Sequence, residues 1–132
     1  MTIDDKGNED AGPAEDLAVD GYYWSSLLTE GGEGTCTSFS LNGDKITCIG
    51  GFYYNEDIEK GGEMGESRLL DSESCTFLLN DQTQYMSVGG DNPDEYMSRD
   101  EFMNYLDEVK DSGLGLIFYV ENGAVTKAVI SS

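Results

Sequence analysis

The sequence predicts an α+β fold that is mostly β, in which antiparallel hairpins form a small barrel or sandwich-like sheet and one amphipathic helix, at about 99–111, packs against it. Three observations lead there. Short runs rich in Tyr, Phe, Val, Ile and Thr recur between turn residues. The dipeptide Asn-Gly, the strongest two-residue hairpin signal, occurs at Asn42-Gly43 and again at Asn122-Gly123. A helical period with a full set of end signals appears in one segment, after Met97.

Met1 to Asp20 carries −6 of the chain's formal −20 charges and is interrupted by Gly7, Gly12 and Pro13. Such a segment cannot bury enough apolar surface to offset its ordering entropy, so residues 1–20 read as an acidic disordered tail or tether and 21–132 as a single β-rich domain. Gly21 to Leu28 is aromatic-rich and reads as a first strand. Glu30 to Gly34 is a glycine-dense loop. Thr35–Leu41 and Asp44–Ile49 form a hairpin on Asn42-Gly43, whose register pairs Leu41 with Asp44, Phe39 with Ile46 and Thr37 with Cys48. Gly50-Gly51 marks a bulge or corner before Phe52-Tyr53-Tyr54.

Asn55 to Ser67 is an acidic loop, and Arg68-Leu69-Leu70 a short strand. Cys75–Leu79 and Thr83–Val88 form a second hairpin around Asn80-Asp81, after which Gly89 to Pro93 breaks the sheet. Ser98 and Glu101 spell a capping box, with Met97 and Phe102 as its hydrophobic staple. Phe102, Tyr105, Leu106 and Val109 form the core-facing stripe, Lys110 lies in the last turn, and Gly113 supplies the left-handed stop. Leu114–Glu121 and Ala124–Ile130 then pair across Asn122-Gly123, matching Val120 with Val125, Phe118 with Lys127 and Leu116 with Val129. Apolar residues on both faces of Leu116–Val120 make this the central strand, with the helix on one side. The expected total is about seven or eight strands.

The chemistry is bounded by what the chain lacks. With no histidine among 132 residues, Ser-His-Asp, Cys-His and His-zinc chemistries are excluded. Cys36, Cys48 and Cys75 have no C-x-x-C spacing and leave an odd thiol. The expected hairpin register turns Cys36 and Cys48 to opposite faces, so no disulfide joins them, and Cys75 reads as a small buried hydrophobe. No phosphate-binding loop or nucleophile elbow occurs. The chain reads as no enzyme, with no cofactor.

Acidity of this order argues against nucleic acid and against an anionic membrane surface as partners. It is compatible with a monomer that binds an unidentified protein or glycan, a basic protein included. Asn55, Asp57, Glu59, Glu63 and Glu66 approach the oxygen-ligand spacing of an EF-hand, but Lys60 stands where that loop requires glycine and the flanks read as strand, so no metal is assigned. Two aromatic clusters, Tyr22-Tyr23-Trp24 and Phe52-Tyr53-Tyr54, must each turn a ring away from the core, because adjacent strand residues face opposite sides. The candidate binding residues are therefore Tyr22, Trp24, Tyr53 and Tyr54, with Glu56, Asp57 and Glu59 of the neighbouring acidic loop.

The stretch from Ser98-Arg99-Asp100-Glu101-Phe102 through Leu114-Gly115-Leu116 to Val120-Glu121-Asn122-Gly123 and Ile130-Ser131-Ser132 resembles extracytoplasmic, often lipoprotein-attached, uncharacterised bacterial domains. That resemblance implies no catalytic residues. Together with the tether it implies a secreted or surface-tethered binding module, located outside the cytoplasm or anchored at the cell surface, without direct membrane insertion. The alternative is an acidic cytoplasmic inhibitor, such as a phage or immunity protein, that mimics nucleic-acid charge and blocks a basic site. An inhibitor of that kind arranges its carboxylates in a duplex-like stripe, whereas a module shows dispersed charge and an aromatic patch.

Overall fold

Phe77 and Phe118 stack with their ring centroids 4.2 Å apart, and this contact defines how the chain is wrapped. The computed structural model describes residues 17–58, 68–70, 74–89 and 94–131. The expected tail up to residue 16, most of the acidic loop (Glu59 included) and Gly90 to Pro93 lie outside the described residues.

The strands are β1 (Gly21–Leu27), β2 (Thr35–Asn42), β3 (Lys45–Gly50), β4 (Phe52–Asn55), β5 (Arg68–Leu70), β6 (Ser74–Leu78), β7 (Gln84–Val88), β8 (Glu95–Met97), β9 (Gly115–Glu121) and β10 (Ala124–Ser131). The helix α1 (Arg99–Glu108) lies between β8 and β9. All ten strands belong to one mixed sheet in the order β6-β3-β2-β1-β9-β10-β7-β8, with β4 also pairing β1 and β5 pairing β4. Among the described residues the fold is mostly β with a single short helix, and the sheet is not a closed barrel. Four strand spacings separate β6 from β9, which in a flat sheet is roughly 19 Å. Their stacked phenylalanines therefore require the sheet to curl over on itself, so that it packs like a sandwich.

Inside the curl, Phe77 and Phe118 are joined by Tyr23 and Phe52, with Tyr23–Phe77 centroids at 5.0 Å and Phe52–Phe77 at 5.5 Å. Leu27, Ile46, Leu116, Val120 and Ile130 complete this core, and Phe102 and Leu106 of α1 enter it. The capping box forms as expected: Glu101 N–H donates to Ser98 Oγ at 3.1 Å, and Ser98 N–H donates to Glu101 Oε1 at 2.9 Å. Arg99 fixes the helix start by donating to Tyr85 Oη at 3.1 Å while pairing with Asp44 at 3.0 Å. Val109 caps the helix, which is shorter than the expected 99–111. Lys110 lies past the cap, and Gly113, at φ 83, turns the chain so that its N–H donates to Leu27 O at 2.8 Å.

Several expected pairings are corrected. The Asn42-Gly43 hairpin pairs Asn42 with Lys45, Leu41 with Ile46 and Phe39 with Cys48, so its two central residues are Gly43 and Asp44. Gly43 at φ 65 holds the first central position, which is where a type II′ turn places glycine. A bulge at Thr37 then brings Cys36 opposite Gly50. The expected placement of Cys36 and Cys48 on opposite faces therefore fails, and both thiols are buried on the inner face as free cysteines.

At Asn122-Gly123, Val120 does pair with Val125, but a register shift puts Phe118 opposite Ala128 and Leu116 opposite Ile130. The second hairpin does not form: β6 pairs antiparallel with β3, and β7 pairs parallel with β10. Asn80 does make a turn, accepting Gln82 N–H at its side chain, 2.8 Å. That turn crosses from one layer to the other, and Thr83 Oγ1 anchors the far side by donating to Val125 O at 2.6 Å. The break after Gly89 is followed by β8, an edge strand on β7 that the turn residues had concealed.

The centre of the sheet contains a fork. Tyr22–Trp24 of β1 pair with β4, whereas Ser26 and Leu27 pair parallel with Thr35 and Cys36 of β2. Ser25, fully buried between them, donates its hydroxyl proton to Gly51 O at 2.9 Å. Upstream of β1, Leu17 bridges Thr76, and Ala18 N–H donates to Thr76 O at 2.8 Å.

Candidate functional site

The outer face of the sheet, opposite the core, carries a second apolar group. Its geometry follows from register alone: Tyr53 pairs with Trp24, Trp24 with Ile117, Ile117 with Val129, Val129 with Met86, and Met86 with Tyr96. Opposed residues share a face, so these six side chains form one row across the sheet. Ile117, Val129 and Met86 are buried, Trp24 and Tyr53 half-buried, and Tyr96 is 65% exposed at the edge.

Trp24 and Tyr53 are 5.8 Å apart at their ring centroids. The Trp24 indole lies over Gly115, where a Cβ would come within 2.9 Å of Nε1. Tyr53 lies over Gly34 and donates to Glu33 Oε1 at 2.9 Å, a bond that raises its pKa above the ordinary phenol value. A neighbouring pair, Tyr22 and Tyr119, meets edge-on at 5.3 Å. Burial raises the pKa of both phenols. Lys127 sits over the Tyr119 ring, 5.5 Å from its centroid.

The row adjoins an open cleft of about 530 Å³ lined by Asp20, Gly21, Glu56, Asp57, Ile58, Val120, Glu121 and Asn122. These residues meet because β4, β1 and β9 are adjacent and antiparallel, so the end of β4, the start of β1 and the end of β9 lie together. Ile58 lines the cleft and also packs on the outer apolar group, joining the two surfaces. Asp20 is held firmly: its two carboxylate oxygens accept Asn122 N–H and Gly123 N–H, each at 2.9 Å. Those N–H groups point outward because Asn122 (φ 55) and Gly123 (φ 83) both adopt left-handed backbone, the pattern of a type I′ turn. Glu121 accepts from Thr126 Oγ1 at 3.1 Å. Asn55 Oδ1 accepts Asp57 N–H at 2.9 Å, which sets the direction of the loop carrying Glu56 and Asp57.

The structure thus brings together Tyr22, Trp24 and Tyr53 on the outer face and Glu56 and Asp57 in the adjoining cleft. Tyr54 does not join them. It is buried in the inner core, 4.9 Å from Tyr23 by ring centroids, and its hydroxyl donates to Asp20 O at 2.7 Å. Alternation explains the split, since Tyr53 and Tyr54 are neighbours on one strand. Glu59 lies outside the described residues. Sequence reasoning missed Asp20, Ile58, Tyr119 and Glu121, which come from three separate segments. The Asn122-Gly123 turn was a usable signal for them, because it fixes where β9 ends.

Among the described residues, no three His, Cys, Asp or Glu side chains converge as a metal ion would require. No helix of the described residues is long and apolar enough to cross a membrane. No family model, no curated protein and no solved structure matches the chain.

Proposed function

We propose that the chain is a non-catalytic binding module whose contact surface is the outer aromatic row together with the acidic cleft at its end. The observation that carries this reading is the continuity of the two surfaces through Ile58. Half-exposed aromatics supply rigid apolar contact at low entropic cost, and adjacent carboxylates select positive charge. The partner class is a polypeptide with Lys or Arg side chains beside apolar ones, as on a basic protein. A glycan would use the aromatic row and leave the carboxylates without a role. The acidic tail fits the tether of a secreted or surface-anchored monomer. The inhibitor reading calls for carboxylates in a duplex-like stripe, and Asp20, Glu56, Asp57 and Glu121 instead border one cleft. Catalysis has little support from a histidine-free chain.

Trp24 is the single tryptophan, so its emission reports on this face directly. A short peptide alternating lysine and leucine is expected to change Trp24 emission saturably, with an affinity that falls as salt rises. The double variant Glu56→Gln, Asp57→Asn is expected to lose most of that response. A response to neutral oligosaccharide with none to the peptide, or a peptide response that the double variant retains, would overturn the reading.

A further inference from the structure

We propose that Asn42-Gly43 is a site of spontaneous deamidation, and that the Asp20 clamp protects the second Asn-Gly pair, Asn122-Gly123, from the same reaction. This does not rest on the binding surface. In both pairs glycine follows asparagine, so no side chain shields the backbone nitrogen that must attack the asparagine amide. Both turns are exposed, and nothing lies within 4 Å of where a Cβ would stand on either glycine. Sequence and exposure therefore leave the two sites equal, and the difference lies in the glycine N–H.

At the first turn, Gly43 stands at φ 65 in the first central position, and its N–H meets no acceptor among the described residues. Asn42–Lys45 is the last rung of the β2–β3 ladder. Such an end rung opens at little cost, which frees Asn42 to bend toward its neighbour. Arg99 reaches Gly43 O at 3.4 Å, so it holds the carbonyl and leaves the nitrogen alone. At the second turn, Gly123 N–H donates to Asp20 Oδ1 and Asn122 N–H to Asp20 Oδ2, each at 2.9 Å. Removing the Gly123 proton there would set a nitrogen anion against a carboxylate. Turning that nitrogen toward Asn122 Cγ would also break a charge-assisted hydrogen bond.

The Gly43 nitrogen gives its proton to hydroxide and attacks Asn42 Cγ. A new C–N bond forms, the side-chain nitrogen takes up a proton, and its bond to Cγ breaks to release ammonia. The resulting cyclic imide takes up water at one of its two carbonyls, and the ring C–N bond at that carbon opens. Opening at Cγ gives aspartate, and opening at the main-chain carbonyl gives isoaspartate. Water enters, ammonia leaves, and no electrons are exchanged. The product carries a new negative charge beside Asp44, and the isoaspartyl form lengthens the main chain by one carbon. Both changes fall where Arg99 holds Gly43 O and, at 3.0 Å, Asp44.

Trypsin separates the two sites, because Lys6 and Lys45 bound the peptide with Asn42, and Lys110 and Lys127 bound the peptide with Asn122. The test incubates the folded full chain at physiological temperature and mildly alkaline pH. Samples taken over time are digested, and fragment masses locate each amide-to-acid conversion. Asn42 is expected to convert about tenfold or more faster than Asn122, the size expected when a hydrogen bond to a charged group must be given up. In guanidinium chloride, with the chain unfolded, the two rates are expected to come together. In Asp20→Ala, Asn122 is expected to gain most of that difference while Asn42 keeps its rate. An unconverted Asn42, equal rates in the folded chain, a ratio that survives unfolding, or an Asn122 rate unmoved by Asp20→Ala would each overturn the proposal. If the variant does not fold, the unaltered chain with and without denaturant decides the matter.

Discussion

On β9, Phe118 and Ile117 are consecutive residues that face opposite sides of the sheet, and they meet different surroundings. Phe118 stacks on Phe77 inside a core of eighteen buried residues, closed by the curl of the sheet and by α1. Ile117 belongs to a group of four buried residues, flanked by the half-buried Trp24, Ile58, Val88 and Tyr119. The inner face carries the larger share of the burial that holds the chain folded. The outer row is apolar enough to be ordered, yet its rim is accessible, and this division leaves one face free to bind.

The largest test of that contrast uses the two neighbours themselves. Phe118→Ala is expected to cost about 3–5 kcal/mol, because the cavity lies among rings that cannot collapse into it. Ile117→Ala is expected to cost about 2 kcal/mol, since fewer buried neighbours surround it. Chemical denaturation of both variants measures the difference. Equal losses would mean that the outer group is a second core.

Ser25→Ala gives a smaller effect at the point where β1 changes partners. The hydroxyl bond to Gly51 O would be lost inside a fully buried site, for about 1 kcal/mol of stability. If denaturation shows no loss, the fork is held by its ladders alone.

The smallest effect is absent at neutral pH. Tyr22 on the outer face and Tyr23 on the inner face both have phenol pKa values raised by burial, and Tyr23 is raised much further. A raised folded pKa means that the unfolded chain ionises first. This part of the stability is therefore intact below the ordinary phenol value near 10 and declines as pH rises above it. Difference titrations of phenolate absorbance against the unaltered chain should show the absorbance lost in Tyr22→Phe at lower pH than that lost in Tyr23→Phe. The reverse order would contradict the assignment of the two faces.

How far the sequence could be read depended on the range of each interaction. Helix α1 was legible because Ser98, Glu101 and the Phe102–Leu106 stripe act within a few residues of one another. Its end was misplaced, since Gly113 is drawn away by Leu27, a residue on another strand. The β2–β3 hairpin was legible as a hairpin, but its register was not. Moving the turn by one residue and adding a bulge at Thr37 changed which side chains meet, and that put Cys36 and Cys48 on the same face. The candidate site was half legible: alternation separated some rings from the core, but the wrong parity was carried for Tyr54.

By itself the sequence determined the class of the fold, the single capped helix, the central position of β9 and the absence of histidine-based chemistry. These follow from composition, periodicity and local hydrogen bonding. Tertiary structure alone decided that β6 and β7 separate to different layers, that Asp20 clamps the Asn122-Gly123 turn, and that an aromatic row meets an acidic cleft. Each of those depends on pairing between strands far apart in the chain, where the free energy lies in burying shared surface and satisfying distant backbone groups, and no local pattern encodes the partner.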